Sequence, residues 1–338
     1  MNRKLKVGQI GVGGFGAYRR ERLRETGLFD LVVAYDLNPA ALQAAQQEDG
    51  AQPVSSYAAL LATPGLDAVI ISTGAKFHAE QMVAAMKQGL HVFVEKPLCA
   101  TAAELAELLA VQRATKVVVG VGHEDHSTSA RSRTIRQMIE RGDFGTIATF
   151  EKTTAHSGGL EIKPGDWRGD PDKNPGGMLF QCGVHALHEL MYYFGPITAV
   201  FASLRYDVHT TQTADVAHCV LEFASGLTGT LNAYHVTPYR HSLDIFGTKQ
   251  SLSWEQRPYG ETDFFAIQKR KCGECEPYEP IQPIGASDPC SSLRSFHHAI
   301  VAGGTPYPSL IDGARAVAVV FAAEQSARTG QLVPVETP

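Results

Sequence analysis

The chain has 338 residues, with 30 lysines and arginines against 35 aspartates and glutamates, a formal net charge of −5. This length predicts two domains with sizeable cores, and 44% hydrophobic and 19% charged residues exclude a disordered or fibrous protein. The slightly acidic balance argues against nucleic acid as a partner. No apolar run approaches the length of about 20 residues that a membrane-spanning helix needs, which argues against a membrane partner.

The N-terminus and the cysteines predict a cytoplasmic protein. The basic residues Arg3, Lys4 and Lys6 lead into a short apolar run that ends in glycines, whereas a secretory signal would continue as one apolar stretch. The six cysteines are sparse for a chain of this length. We therefore expect reduced thiols rather than a disulfide framework.

The first third of the chain alternates two kinds of segment. Short runs rich in Val, Ile and Leu predict buried strands over residues 5–10, 31–35, 68–72, 91–94 and 117–121. Helical patterns predict helices over residues 17–26, 39–47, 79–88 and 102–115. This alternation predicts an α/β fold whose first domain, over residues 1–122, is a doubly wound parallel sheet of the Rossmann type.

The pattern changes in the remainder, which we interpret as a second α/β domain over residues 123–338. Helices are predicted over residues 130–141, 177–194, 291–301 and 312–329. Strands separated by turn signals are predicted over residues 199–206, 216–223, 228–234, 242–246 and 250–254. Consecutive strands without intervening helices predict an open, mostly antiparallel sheet.

A glycine-rich motif follows the first strand and opens the first helix. Its pattern is G-x-G-x-x-G, formed by Gly11, Val12, Gly13, Gly14, Phe15 and Gly16. Such glycines make a tight turn, let the backbone approach a pyrophosphate, and let helix and strand pack closely. Asp36 follows the next strand, 20 residues after Gly16, and can accept from adenosine ribose hydroxyls. The alternative is a glycine-rich turn without a ligand.

The same acidic residue bears on the choice of coenzyme. The carboxylate of Asp36 would repel a 2′-phosphate, and Leu37 follows it where an arginine could have bound that phosphate. We therefore expect NAD rather than NADP as the cofactor.

Two further segments carry candidate catalytic side chains. Glu95, Lys96 and Pro97 follow the strand over residues 91–94, and ligands bind at the carboxyl ends of strands in open α/β sheets. Lys96 is thus placed to bind a substrate hydroxyl, the alternative being a surface lysine in a turn. In the second domain Gln181 and His185 are four residues apart and share a helix face. His185 could act as a general base or be structural.

Taken in order, these motifs resemble those of one family over nearly the whole chain. The glycine loop, Glu95-Lys96-Pro97, Trp167-Arg168, Gly176-Gly177 and the segment 309–329 follow the order of the glucose–fructose oxidoreductase, inositol dehydrogenase and rhizopine-catabolism family (Gfo/Idh/MocA). The resemblance implies a Rossmann domain followed by an α/β domain with a large open sheet that often forms the interface of a homodimer or homotetramer. It also implies hydride transfer between a nicotinamide cofactor and a sugar, cyclitol or sugar derivative.

The resemblance also assigns site residues. Lys96 matches the family's lysine that contacts substrate and cofactor, and His185 matches its catalytic histidine. The coenzyme contacts are then expected from the glycine loop, Asp36, Thr73, Gly74, His78, Glu95, Lys96 and Pro97. The substrate contacts are expected from Lys96, Trp167, Arg168, Gln181 and His185.

The chain departs from the family pattern at three places. Gln181 stands where the family usually has an aspartate, His188 where it often has an acid, and Gly74-Ala75 where it usually has Pro-Asn. A glutamine can hydrogen-bond a hydroxyl but supplies no negative charge to support an imidazolium. The departures leave open a nicotinamide-dependent glycosidase or lyase that uses transient oxidation, and a non-catalytic dinucleotide-binding sensor.

Other clusters predict no metal site. Cys272 and Cys275 form one C-x-x-C without a second pair at a suitable spacing, so we expect free thiols. The glutamate of the 185–189 segment is misplaced for a zinc-protease motif. The segment 123–126 could supply either substrate contacts or a polar hinge.

Overall fold

The computed structural model describes residues 3–172, 174, 176–209, 211–257, 261–271 and 276–336. The chain forms two compact units. The first contains Met1–Asp125 and Asp288–Ala314, and the second contains His126–Ser287 and Arg315–Pro338.

The first unit is built on a parallel sheet. Its strands are β1 (Leu5–Ile10), β2 (Phe29–Tyr35), β3 (Gln52–Pro53), β4 (Ala68–Ile71), β5 (His91–Val94) and β6 (Val119–Val121). The helices between them are α1 (Phe15–Thr26), α2 (Pro39–Asp49), α3 (Tyr57–Leu61), α4 (Ala75–Lys87) and α5 (Ala102–Thr115). The strand order β3-β2-β1-β4-β5-β6 is that of a Rossmann fold, which confirms the predicted doubly wound sheet. The sequence did not predict β3 and α3, which are too short to show a period.

The second unit carries a larger sheet. Its strands are β7 (Ile147–Ala155), β8 (Ile197–Arg205), β9 (Val216–Phe223), β10 (Thr228–Tyr234), β11 (Arg240–Gly247), β12 (Gln250–Glu255), β13 (Phe264–Lys269), β14 (Glu279–Pro280) and β15 (Val333–Pro334). Among the described residues these nine strands pair in the order β14-β13-β12-β11-β7-β10-β9-β8-β15. All pairs are antiparallel except β7 with β10, so the predicted mostly antiparallel sheet is confirmed.

The remaining helices are α6 (Ala130–Glu140), α7 (Val184–Phe194), α8 (Ser291–Ala302) and α9 (Leu310–Thr329). None of the helices in the described segments is long and apolar enough to span a bilayer.

The sequence missed β7, a central strand of the second sheet. Its inward-facing positions are Phe150, Lys152 and Thr154, all buried. Because two of these three are polar, the strand lacks the apolar alternation by which a half-buried strand is recognised. Lys152 can be buried there because its ammonium is paired with the carboxylate of Glu189.

Helix α8 explains why Asp288–Ala314 belongs to the first unit. The sequence placed this segment in the second domain, because that division assumed two continuous domains. Leu293 and Phe296 of α8 are fully buried in the core that packs against the parallel sheet. The ring of Phe296 lies 5.5 Å from that of Phe93 on β5, in an edge-to-face arrangement that aromatic pairs favour.

A buried carboxylate organises the core of the second unit. Glu189 on α7 lies 2.6 Å from the Nζ atom of Lys152 and 2.6 Å from an Nη atom of Arg131, and it accepts from the hydroxyl of Tyr193 at 3.0 Å. Burial alone would raise the pKa of Glu189, but the charges of Arg131 and Lys152 outweigh it and hold the pKa well below its usual range.

We expect Glu189→Gln to destabilise the protein by about 3–5 kcal/mol at neutral pH, because it leaves the buried Lys152 and the partly buried Arg131 without their countercharge. A depressed carboxyl pKa stabilises the folded state above the unfolded-state pKa, about 4.3, and this stabilisation is lost as the pH falls below it. The difference between wild type and variant in the free energy of unfolding, measured with urea, should therefore become smaller as the pH is lowered. The control is Glu140→Gln, whose exposed pair with Arg136 should contribute at most about 1 kcal/mol. Equal effects of the two substitutions would contradict the expectation.

Candidate active site

The glycine loop between β1 and α1 depends on two close backbone contacts. Gly11 has a positive φ of 81°, and a Cβ there would lie 2.8 Å from the backbone of Ser72. A Cβ on Gly16 would lie 2.2 Å from the carbonyl oxygen of Gly11. Neither position has room for a side chain, so the loop presents bare backbone to its surroundings.

The start of α1 is suited to an anion. The helix begins at Phe15 with Gly14 before it, and within the described residues no side chain caps this end. The amides of Gly16 and Ala17 donate to the carbonyls of Gly13 and Gly14 at 2.8 and 3.1 Å, which leaves the amides of Gly14 and Phe15 to donate to an anion. Val12 is buried and contributes its backbone, whereas the side chain of Phe15 is exposed.

Asp36 lies at the end of β2 and contacts the glycine loop. Its Oδ2 atom accepts from the amides of Val12 and Gly13 at 2.8 and 3.0 Å, and its Oδ1 atom accepts from the amide of Asn38 at 2.8 Å. An ionised carboxylate can accept about four hydrogen bonds. Asp36 therefore stabilises the loop and still has capacity to accept from a ribose hydroxyl.

A cavity of about 410 Å³ lies beside the loop. Of the residues that the sequence predicted, it is lined by Gly11, Gly13, Asp36, Thr73 and Gly74. Seven further lining residues were not predicted as site residues: Tyr35, Leu37, Tyr57, Ser72, Phe77, Glu80 and Gln81. Phe77 could have been found from its place one turn after Gly74 on α4, but no sequence signal pointed to Tyr57. The hydroxyl of Tyr57 is hydrogen-bonded to the carboxylate of Glu80.

The Lys96 loop follows β5 in the same unit. Lys96 is half-buried and precedes a cis peptide bond to Pro97. The carbonyl oxygens of Pro97 and Thr73 lie 2.7 Å from Nδ1 and 2.9 Å from Nε2 of His78. The side chain of His78 is only 1% exposed, and burial lowers its pKa. A neutral imidazole has one N–H donor, so His78 donates to one of these two carbonyls and its other nitrogen only contacts the second.

Glu95, also predicted to bind the coenzyme, has a partner that the sequence did not reveal. Its Oε1 atom accepts from Nε of Arg19 on α1 at 2.7 Å, and both side chains are buried. This ion pair connects the helix that follows the glycine loop to the residue preceding Lys96.

In the second unit, Gln181 and His185 lie on a helix with an irregular first turn. Leu179–Gly183 forms a π-helical turn that leads directly into α7, so the predicted helix over residues 177–194 is not uniformly α-helical. π-helical turns are frequent at functional sites. Gln181 and His185 are both half-buried.

The backbone before this turn is tightly constrained. Gly177 has a φ of 52°, and a Cβ there would lie 2.2 Å from the carbonyl oxygen of Ala214. The amide of Gly176 donates to the carboxylate of Glu324 on α9. These contacts determine where the π-helical turn begins.

Trp167 and Arg168 lie on a short 3₁₀ helix, Trp167–Gly169. The Arg168 guanidinium carbon is 5.0 Å from the Trp167 ring centroid, within cation–π range. The carbonyl oxygen of Arg168 accepts from Asn174 Nδ2 at 2.6 Å and from the Thr213 hydroxyl at 3.0 Å. These two buried partners, which the sequence analysis missed, position the segment.

The structure also shows the surroundings of two further segments considered in the sequence analysis, residues 185–189 and 123–126. Glu189 is bound to two cations, and the ring of His188 lies 5.1 Å from that of His126. The chain passes from the first unit to the second between Asp125 and His126, within the segment predicted as substrate contact or hinge. Cys272 and Cys275 lie outside the described residues.

A Rossmann unit with a glycine loop and an acidic residue after β2 defines a dinucleotide-binding protein. Comparison with known proteins agrees. Residues 5–123 match the family described as "Oxidoreductase family, NAD-binding Rossmann fold", and residues 132–253 match the "GFO/IDH/MocA C-terminal domain". The chain therefore belongs to the Gfo/Idh/MocA family of NAD-dependent oxidoreductases.

Individual relatives extend over most of the chain. A 1,5-anhydro-D-fructose reductase from Ensifer adhaerens is 28% identical over 84% of each protein. The scyllo-inositol 2-dehydrogenase (NAD(+)) of Bacillus subtilis is 25% identical over 99% of this chain and 98% of its own. Among solved structures, levoglucosan dehydrogenase in complex with NADH shares the fold, with a TM-score of 0.87, 22% identity, and coverage of 99% of this chain and 100% of its own.

We expect Asp36→Ser to lower the NAD-to-NADP ratio of kcat/KM by at least about tenfold, equivalent to about 1.4 kcal/mol, because the charge that repels a 2′-phosphate is removed. Both coenzymes should bind more weakly, since the loop also loses its acceptor, so the ratio is the informative quantity. Glu80→Gln is the control, because it removes another carboxylate of the same cavity. The role given to Asp36 is wrong if its substitution leaves the ratio unchanged.

Proposed function

We propose that this protein catalyses reversible hydride transfer between NAD and a carbon bearing a hydroxyl or keto group in a sugar, cyclitol or sugar derivative. The observation that carries the proposal is the cavity beside the glycine loop, with the uncapped start of α1 nearby and Asp36 on its wall. The names of the relatives, an anhydrofructose reductase and an inositol dehydrogenase, support this substrate class.

The first unit has the residues to hold the coenzyme. The backbone of the glycine loop and the first turn of α1 would hold its diphosphate, and Asp36 a ribose. The aromatic side chains of Tyr57 and Phe77 line the cavity and suit an adenine ring. When bound, the nicotinamide supplies the hydride acceptor in oxidation and the hydride donor in reduction.

His185 is the proposed general base. An imidazole ordinarily titrates near neutral pH and can accept the hydroxyl proton as the carbon is oxidised, then return it in the reverse direction. With Gln181 in place of the family's aspartate, no carboxylate at that position supports an imidazolium. Gln181 would instead orient the substrate through its amide group.

Lys96 is proposed to stabilise the developing alkoxide. Its ammonium offers three hydrogen-bond donors and a positive charge, both of which favour an oxygen that becomes negative. Trp167 and Arg168 would contribute an aromatic face and a guanidinium to the recognition of substrate hydroxyls.

The open sheet also suggests an assembly, a homodimer or homotetramer formed through its outer face. Phe201 on β8 and Val220 on β9 are directly paired across the two strands, and each is more than 40% exposed. Outward-facing apolar residues on a large sheet are typical of an interface. We further propose a cytoplasmic location, which suits the free thiols Cys99, Cys219 and Cys290.

The test is a panel of sugars, inositols, sugar nucleotides and aryl glycosides, assayed with NAD and NADP at the absorbance of the reduced coenzyme. With the substrate so found, His185→Ala should lower kcat by about 10²–10⁴-fold while NAD binds as in the wild type. His298→Ala, at an exposed histidine of α8, is the control.

Two results would contradict the proposal. A fully active His185→Ala variant would remove His185 as the base. Cleavage of an aryl glycoside without net NADH would point to the glycosidase or lyase activity instead.

A further inference from the structure

The ion pair between Arg19 and Glu95 is buried on both sides. The two side chains are each 6% exposed, and Nε of Arg19 donates to Oε1 of Glu95 at 2.7 Å. The guanidinium carbon also lies 4.9 Å from the ring centroid of Phe93, with the rings of Phe15 and Tyr18 at 5.9 and 6.0 Å. Aromatic surroundings of this kind keep water away and strengthen the attraction between the charges.

The second carboxylate oxygen of Glu95 is confined. Its Oε2 atom is buried and accepts no hydrogen bond from the residues that the structure describes. A Cβ on Gly122 would lie 2.5 Å from this atom, so the end of β6 has space for the carboxylate only because residue 122 is a glycine. Arg19 is therefore the ion-pair partner that the described residues give Glu95.

We propose that Arg19 is a positioning residue for Lys96, acting through Glu95. The inference rests on the role proposed above for Lys96. A buried carboxylate requires a compensating cation, and the cation next to Glu95 in the chain is the ammonium of Lys96. By neutralising Glu95, Arg19 prevents this carboxylate from drawing the ammonium away from the substrate oxygen. Because Arg19 lies on α1, the same helix serves the coenzyme loop and the Lys96 loop.

The experiment separates charge balance from stability with four variants: Arg19→Gln, Glu95→Gln, the double variant, and the control Asp49→Asn. Asp49 is equally buried and is paired with Arg20 and Arg24 of the same helix α1. The two glutamines of the double variant can still hydrogen-bond, but the pair carries no charge. Thermal unfolding confirms that each variant is folded.

The first readout is the rate at which N-hydroxysuccinimidyl acetate acylates Lys96, followed by peptide mass spectrometry. We expect Arg19→Gln to lower this rate about tenfold, because an ammonium held by a carboxylate gives up its proton less readily. The double variant should restore the rate, and Asp49→Asn should leave it unchanged. This readout requires no substrate, so it fails or succeeds independently of the proposed function.

The second readout is turnover with the substrate that the panel identifies. Arg19→Gln should lower kcat by about 10²-fold, the cost of displacing a reacting group by about 1 Å, with the Kd for NAD within about threefold of wild type. The double variant should regain at least tenfold of the lost kcat. A purely structural role for the pair predicts instead that the loss and recovery of kcat follow thermal stability while the acylation rate of Lys96 stays unchanged.

A double variant no better than Arg19→Gln in both readouts would overturn the proposal, as would an Arg19→Gln variant that behaves like Asp49→Asn. If Arg19→Gln does not fold, Glu95→Gln is the deciding variant, because it preserves side-chain volume and leaves the Arg19 charge without a countercharge at the residue that precedes Lys96. The proposal then predicts faster acylation of Lys96, and an unchanged rate contradicts it.

Discussion

The contact between Gly16 and the carbonyl of Gly11, which would leave a Cβ only 2.2 Å from that oxygen, is the constraint on which the first unit depends. It brings the start of α1 close against the end of β1, beside the glycine loop. Asp36 then completes the loop by accepting from the amides of Val12 and Gly13. Arg19 lies one helical turn after Phe15, so the helix start also determines where the partner of Glu95 lies.

The second unit also has a glycine in close contact with a backbone carbonyl before a helix. Gly177 approaches the carbonyl of Ala214 so closely that no side chain fits, and the π-helical turn with Gln181 follows at once. The helix that carries His185 is held further along by Glu189, which binds Lys152 and Arg131. In each unit, bare backbone at a glycine lies at the start of a helix near candidate site residues, and a buried ion pair holds a position beyond it.

The sequence predicted those elements whose residues show a recognisable period or spacing along the chain. The fingerprint from Gly11 to Gly16, the strand–helix alternation and the five strands β8 to β12 of the open sheet carry periods or spacings that can be recognised without a structure. The sequence did not predict β13, β14 and β15. It missed β7, because Lys152 and Thr154 face inward and hide the alternation. It could not pair Arg19 with Glu95, since the two are separated by 76 residues and nothing in either segment indicates the other. Helix α8 was found as a helix but placed in the wrong unit, because burial of Leu293 and Phe296 against a distant sheet leaves no local signal.

The claim that the bare glycine loop and the start of α1 hold a dinucleotide diphosphate is tested most directly by titration calorimetry on protein freed of coenzyme. The account predicts saturable binding of NAD at one site per chain, and loss of that binding in Gly16→Ala, where the added methyl group must displace the helix from the loop. No heat of binding with either NAD or NADP, or unchanged affinity in Gly16→Ala, would contradict it.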